Sequence, residues 1–376
     1  MGKSSALVQQ FPILPECYQA HGSGKENDAA CRHCGQPMEL KRHISFVDCP
    51  GHDVLMATML NGVSIMDAAA LIIASNESCP QPQTREHLGA IEIAHLTNVL
   101  VVQNKIDLVT HSEACAHREA IAQFVKGTCA QESPIIPVSA QMQQNIDVLC
   151  EYLCTEAIVP VPRRNLDAPA RMTIVRSFDI NKPGNDIRSL RGGVAGGTIT
   201  QGVLRIGDEV ELRPGVLRKG ASGRYTCTPI RTRVVSLQAE GNPLPFAIPG
   251  GLIGVGTQLD PALTKGDALV GHVLGHVGSL PETYSEIEVT YHPLAAVAEP
   301  VPWDGEVVQV NNGGFTTDAR VIRLSRDPTS TARLELRMPL CIGLGGKVTL
   351  SRYVADHPRL VGCGEVTSGA ACVSFP

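Results

Sequence analysis

Two short stretches place acidic, amide and basic side chains where apolar runs end. The first is "DCPGHD" at 48–53, which follows "HISFV" and precedes a helical pattern. An Asp at the end of a strand can hold Mg²⁺ through water, and a Gly shortly after it lets a backbone N–H approach a terminal phosphate without a Cβ clash. Asp48 and Gly51 stand in those places, although D-x-x-G alone is a common turn. The second stretch, "VLVVQNKID", ends in Asn104, Lys105 and Asp107. Asp107 can accept from both the ring N–H and the exocyclic amine of guanine, a donor pair that adenine lacks. Asn104 can reach the purine's other edge, and the Lys105 stem can lie across its face. N-K-x-D after an apolar strand is therefore a specific signal. A third element, Ser139-Ala140 in "PIIPVSAQ", ends a further strand, where a backbone N–H could meet guanine O6; in isolation it reads as a loop.

These residues need elements to position them. Residues 43–155 alternate β-rich runs with helical patterns: "HISFVD", "DVLMATMLNGVSIMD", "AAALIIAS", "TREHLGAIEIAHL" and "NVLVVQNKID". Such alternation implies a parallel sheet with crossover helices, with ligands bound at the strands' C-terminal ends. "IVPVPRRNLDAP" reads as a linker. Beyond it the texture changes to short runs broken by Gly and Pro, as in "GGVAGGTITQGVLRIGDEVELRPG", which suggests closed β-structure. The same texture returns after "GSLPE". The expected organisation is a divergent N-terminal segment (1–42), an α/β nucleotide domain (43–160), a first β-barrel domain (161–281) and a second (282–376).

Composition sets wider bounds. The chain has 376 residues, 43% of them apolar and 18% charged, which suits a globular protein of two or three domains. No apolar run approaches the roughly 20 residues that span a bilayer, and "MGKSSALVQQFPILPE" lacks the apolar stretch of a secretory signal. A soluble, cytoplasmic chain with no membrane partner is expected. The net charge is −5, but residues 163–233 hold 14 Lys or Arg against 6 acids, leaving −13 for the remainder. That basic segment is either a footprint for a phosphate backbone or a solvated barrel exterior. Thirteen cysteines, an odd number without a secretory signal, read mostly as reduced core residues, Cys150, Cys154 and Cys341 among them.

The three motifs in order, each at a strand end, resemble the GTP-binding domain of the translational GTPases. In that family a His directly after D-C-P-G orients the attacking water, which gives His52 the catalytic role by resemblance. The stretch "HISFVDCPGHDVLMATMLNGVSIMDAAALIIASNESCPQPQTREHL" is more similar to the gamma-subunit family of eukaryotic translation initiation factor 2 than to elongation factor Tu. "RGGVAGGTITQGVLRIGDEVELRPG", "PGGLIGVGTQLDP" and "RLVGCGEV" resemble that family's two barrels. The resemblance runs from about residue 15 to the end and thins at 282–320. It implies a P-loop NTPase-type GTP-binding domain followed by two β-barrels, and a protein-synthesising GTP hydrolase using GTP, GDP and Mg²⁺. Initiator methionyl-tRNA would be delivered to the small ribosomal subunit, with hydrolysis linked to start-codon selection. The implied partners are alpha and beta subunits in a heterotrimer, and GTPase-activating and nucleotide-exchange factors.

The sequence departs from that family in two ways. A phosphate loop needs G-x-x-x-x-G-K-[ST] after a strand. "MGKSS" matches only its last three positions, and "HGSGKEN" puts Glu26 where a Mg²⁺-binding hydroxyl belongs. The first Thr in the chain is Thr58, so no switch Thr precedes Asp48. The first strand and phosphate loop are thus expected to be absent, through truncation, an alternative start or a gene-model error, and hydrolysis is expected to be very poor. Nearby, Cys31-x-x-Cys34 is a metal-ligand pair and Cys17 a third candidate, in an insert where some relatives carry a zinc knuckle. A closed zinc site usually takes four ligands, so an unstructured insert is favoured over Zn²⁺. Two rival readings remain: a hydrolysis-incompetent pseudo-GTPase acting as a tRNA- and subunit-binding module, and an elongation-type or selenocysteine-specific factor.

Overall fold

The computed structural model describes residues 3–8, 17–22, 30–49, 66–94, 96–154, 159–160, 164–182, 184, 186, 190–220, 225–239, 242–293, 304–325, 330–354 and 357–372. The chain divides into two compact units, and the change falls at residues 162–163.

The first unit opens with β1 (Lys3–Val8), β2 (Gln19–Gly22) and β3 (Glu39–Ser45), an antiparallel sheet in the order β2-β1-β3. This corrects the expectation of an unstructured insert: residues on both sides of "HGSGKEN" are built into strands. It also moves the strand expected at "HISFVD", because β3 starts four residues earlier and stops at Ser45. The helix expected at "DVLMATMLNGVSIMD" lies outside the described residues for most of its length.

Parallel structure follows: β4 (Ala69–Ala74), α1 (Pro82–Ile93), β5 (Val99–Asn104), α2 (His111–Val125), β6 (Ile135–Pro137) and α3 (Ile146–Cys154), with strand order β4-β5-β6. β5 is buried at every position from Val99 to Gln103. A central parallel strand covered on both faces reads as a continuous apolar run. Leu100, Val102, Ile136 and Val138 form its core, with Ile146, Leu149 and Leu153 of α3 packed against them. Pro82 suits the first turn of α1, where its missing N–H costs no helical bond. α2 begins with a reciprocal cap: Glu113 N–H donates to Thr110 Oγ1, and Thr110 N–H donates to Glu113 Oε2 at 2.7 Å. Those bonds from Thr110 hold the Glu113 carboxyl below the usual carboxylate range.

The second unit holds two barrels. The first contains β7 (Arg171–Phe178), β8 (Val194–Gln201), β9 (Leu204–Arg205), β10 (Glu209–Lys219), β11 (Tyr225–Ala239), β12 (Asn242–Pro243), β13 (Phe246–Ala247), β14 (Ile253–Thr257) and β15 (Val273–His276). Its main sheet runs β10-β15-β7-β8-β14-β11, and a β10–β11 pairing closes the ring. Met172, Ile174, Ile199, Leu212, Leu237 and Leu274 fill it. The β10–β11 ladder shifts register between Leu212 and Val216, and Gly215 sits there with φ +77. A Cβ at Gly215 would lie 2.0 Å from Thr228 O, so only glycine fits.

The second barrel is β16 (Thr283–Pro293), β17 (Val307–Asn312), β18 (Phe315–Ser325), β19 (Thr331–Cys341), β20 (Lys347–Val354) and β21 (His357–Ala371), closed in the order β16-β19-β18-β17-β20-β21. Gly313-Gly314 makes the two-residue turn between β17 and β18. Ile287, Val308, Val310, Leu334 and Leu350 alternate inward to form the core. The architecture is the expected α/β domain followed by two barrels. No helix among the described residues is long and apolar enough to cross a membrane.

Candidate nucleotide site

The residues expected to read guanine converge at the C-terminal ends of β5 and β6. Asn104 is the last residue of β5, and its Oδ1 accepts from Lys105 N at 2.8 Å and from Ala140 N at 3.2 Å. One side chain thus ties the N-K-x-D loop to the Ser139-Ala140 loop. With both lone pairs of Oδ1 engaged, the remaining hydrogen-bonding capacity of the Asn104 side chain is its amide N–H₂. Ser139 is fully buried, and its Oγ donates to Asp107 Oδ1 at 2.5 Å while accepting from Met142 N at 3.1 Å. Asp107 itself is exposed on a 3₁₀ turn, Ile106–Leu108, with its second oxygen and further lone pairs available to two guanine donors.

Backbone conformation at this corner is unusual. Four non-glycine residues among those described have positive φ, and three of them, Lys105 (62), Gln143 (56) and Asn145 (59), lie in these two loops. Such conformations cost of order 1–3 kcal/mol each and persist where surroundings fix them. The surroundings are visible. Ile106 N donates to Val138 O at 3.3 Å, and Asn145 Nδ2 donates to Pro137 O at 2.8 Å. Lys105 Nζ lies 3.9 Å from a Glu77 carboxylate oxygen, both half exposed, so that pair adds little.

Several supporting residues were not singled out from sequence. Ser75, buried after β4, donates from Oγ to Asn104 O at 2.8 Å and fixes the end of β5. Gln103, 1% exposed, donates from Nε2 to Ala114 O at 2.9 Å and anchors α2 behind the site. A serine after an apolar run and a glutamine inside one carry no pattern that marks them. Thr110 and Glu113 did carry one, T-x-x-E ahead of a helical period.

The phosphate side is different. Asp48 is exposed, three residues beyond β3. Gly51 and His52 lie outside the described residues. Lys3 and Ser4, two of the three matching positions in "MGKSS", occupy β1 opposite Ser45 and Ile44, extended in an antiparallel ladder rather than in a loop entering a helix. Gly24, Lys25 and Glu26 lie outside the described residues.

The cysteine cluster is real. Cys17 and Cys31 are buried, Cys34 is exposed, and the three Sγ atoms lie within 4.8 Å of one another. A tight turn makes this possible: Cys31 N donates to Gln36 O, and Gly35 N donates to Cys31 O, each at 2.8 Å. Burial raises the Cys31 thiol, yet hydrogen bonds from the Cys34 and His33 backbone and from the Cys34 and Cys17 side chains bring it below its ordinary value. Three thiols fit a borderline-soft cation, one ligand short of a closed tetrahedral set. Of the three cysteines named as core residues, Cys150 and Cys341 are buried and Cys154 is half-buried, and the expectation that most of the thirteen lie in the core is corrected, since five are buried. Burial pushes Cys150 up, Cys154 to about 11 and Cys341 to about 12.

An α/β domain with a guanine corner, followed by two barrels, defines the translational GTPase class. Residues 24–158 match the family described as Elongation factor Tu GTP binding domain, 192–275 match Elongation factor Tu domain 2, and 285–366 match Initiation factor eIF2 gamma, C terminal. The fold is similar to that of translation elongation factor SelB from Methanococcus maripaludis. Its complex with the GTP analogue GppNHp gives a TM-score of 0.72 at 20% identity, covering 88% of this chain and 71% of that one. The apo form gives 0.71 at 20% identity, covering 88% and 72%. Curated relatives are nearer in sequence. Eukaryotic translation initiation factor 2 subunit gamma of Schizosaccharomyces pombe is 49% identical over 366 residues, 94% of this chain and 81% of the relative. Eukaryotic translation initiation factor 2 subunit 3 of Drosophila melanogaster is 49% identical over 370 residues, 94% and 77%. The chain belongs to the gamma-subunit family of eukaryotic translation initiation factor 2, a family of GTP-hydrolysing initiation factors.

Proposed function

We propose that this chain is the guanine-nucleotide-binding subunit of a heterotrimeric initiation factor, joined by alpha and beta subunits. In the cytoplasm it carries methionylated initiator tRNA to the small ribosomal subunit, with hydrolysis linked to start-codon selection and governed by GTPase-activating and exchange factors. The observation that carries the nucleotide reading is the preassembled corner of Asn104, Asp107, Ser139 and Ala140. Asp107 takes the two guanine N–H donors, Asn104 Nδ2 the purine's other edge and Lys105 the base face, while guanine O6 replaces Asn104 Oδ1 as acceptor of the Ala140 N–H, whose bond to Asn104 is long at 3.2 Å. Asp48 holds Mg²⁺ through water, Gly51 offers its N–H to the terminal phosphate, and His52 orients the attacking water. When bound, Mg²⁺ neutralises charge on the phosphates.

A polypeptide of these 376 residues hydrolyses GTP slowly. Phosphoryl transfer is accelerated mainly by positioning and charge stabilisation, and Lys3 and Ser4 sit in a ladder rather than around phosphates. The test is equilibrium binding of fluorescent GDP and GTP with Mg²⁺, with single-turnover hydrolysis, beside a chain extended by a strand, phosphate loop and switch Thr. Weak guanine-selective binding and hydrolysis at least ~100-fold slower than the extended chain are expected. Equal rates would overturn the reading.

The cysteine triad supports zinc as a second cofactor, with Cys17, Cys31 and Cys34 as thiolate ligands stabilising the turn between β2 and β3. Metal analysis of the purified chain should find one zinc per chain, lost in Cys31→Ser. A metal-free chain would leave the triad a thiol cluster.

A further inference from the structure

A second group of cysteines lies in the other unit, and no part of the nucleotide chemistry uses it. Cys227 is on β11 of the first barrel, 3% exposed; Cys372 directly follows β21 of the second barrel and is half-buried. They are 145 residues apart in sequence, yet the Cys227 thiol donates to Cys372 Sγ at 2.7 Å. Cys372 in turn donates to Tyr225 O at 3.2 Å, and its backbone N–H donates to Thr283 O at 2.7 Å. Backbone and side chain therefore hold Cys372 over β11, and a small side-chain rotation closes the pair to the ~2.05 Å of a covalent bond. The other buried cysteine of the barrels among the described residues is engaged elsewhere. Cys341, nearly buried, directs its thiol to Pro281 O at 3.4 Å.

We propose that Cys227 and Cys372 are a redox modification site, a dithiol that a low-molecular-weight disulfide such as oxidised glutathione converts to an intramolecular disulfide joining the two barrels. The more accessible sulfur reacts first. Cys372 thiolate attacks one sulfur of oxidised glutathione, its S–S bond breaks, and the first glutathione thiolate leaves and takes a proton. Cys227 then gives up its proton and attacks Cys372 Sγ, expelling the second glutathione thiolate. Two protein thiols and one oxidised glutathione become one protein disulfide and two reduced glutathiones, and excess reduced glutathione reverses the reaction. Burial, then the Cys372 hydrogen bond and neighbouring sulfur charge, push the Cys227 thiol up, so closure is the slow step and quickens as pH rises.

The test uses the full chain. Thirteen thiols are present in the reduced protein. Oxidised glutathione at alkaline pH should convert the Cys227 and Cys372 thiols without leaving glutathione on either, whatever happens at the exposed Cys34 and Cys115, and non-reducing peptide mapping should link the β11 peptide to the β21 peptide. The barrel unit's Tm should rise by roughly 5 °C and return on reduction. Cys372→Ser and Cys227→Ser should each abolish the link, and Cys341→Ser should keep it. The proposal fails if no Cys227–Cys372 peptide forms in the folded chain, if Cys341 supplies the partner, or if Cys372 stays glutathionylated. Cys372 follows the last strand on a half-exposed position, so Cys372→Ser folds even if Cys227→Ser does not.

Discussion

The corner proposed to read the base and the stretch proposed to read the phosphates are built in opposite ways. The corner is closed on itself: Asn104 bonds across two loops, Ser139 is buried under Asp107, and three left-handed residues lie in those loops. Nothing in it needs a ligand to take shape. On the phosphate side Asp48 is exposed, and Lys3, Ser4 and Ser5 contribute to a ladder. Base recognition can be assembled from the ends of two neighbouring strands, whereas phosphate recognition needs backbone N–H groups wrapped around an anion.

The largest test of that contrast is Asp107→Ala. Two hydrogen bonds to a charged acceptor, each worth ~1.5–3 kcal/mol, disappear, so fluorescent GDP should bind ~100-fold or more weakly. Asp107→Asn should shift preference from guanine to xanthine, because an amide offers one donor where xanthine has a carbonyl. Retained guanine affinity in either variant would break the comparison. Ser139→Ala should cost about tenfold, by freeing Asp107 Oδ1 and leaving Met142 N without its acceptor. Loss as large as that of Asp107→Ala would mean that Ser139 contacts the base itself.

The position of N-K-x-D and Ser-Ala at strand ends was legible in sequence because each follows an apolar run. The lock between them was not, since the Asn104–Ala140 bond joins residues that only the β5–β6 pairing brings together. β3 was misplaced because "ELKRHIS" is polar and lacks alternation, so only pairing with β1 reveals it. The three cysteines of the triad were legible in sequence but their proximity was not, because the turn that folds Cys31 and Cys34 back to Cys17 depends on two backbone bonds. The barrels announced themselves through glycine spacing, and Gly215 shows why: a Cβ there would strike Thr228 O.

Smaller effects sharpen the contrast further. Thr110→Ala removes the α2 cap, for a cost of ~1 kcal/mol and a Tm drop of about 3 °C in the first unit, with GDP affinity unchanged within about twofold. Least affected should be binding after Mg²⁺ removal. In this 376-residue chain, EDTA should change GDP affinity less than about twofold, because affinity rests on the base. A tenfold loss would show that Asp48 already holds a metal-bound phosphate.

The closing strand of the second barrel has a mechanical consequence. β21 spans 15 residues and is laddered to β16 on one side and β20 on the other. A force applied along its C-terminal end loads both ladders in shear, so many hydrogen bonds must rupture together instead of unzipping one at a time.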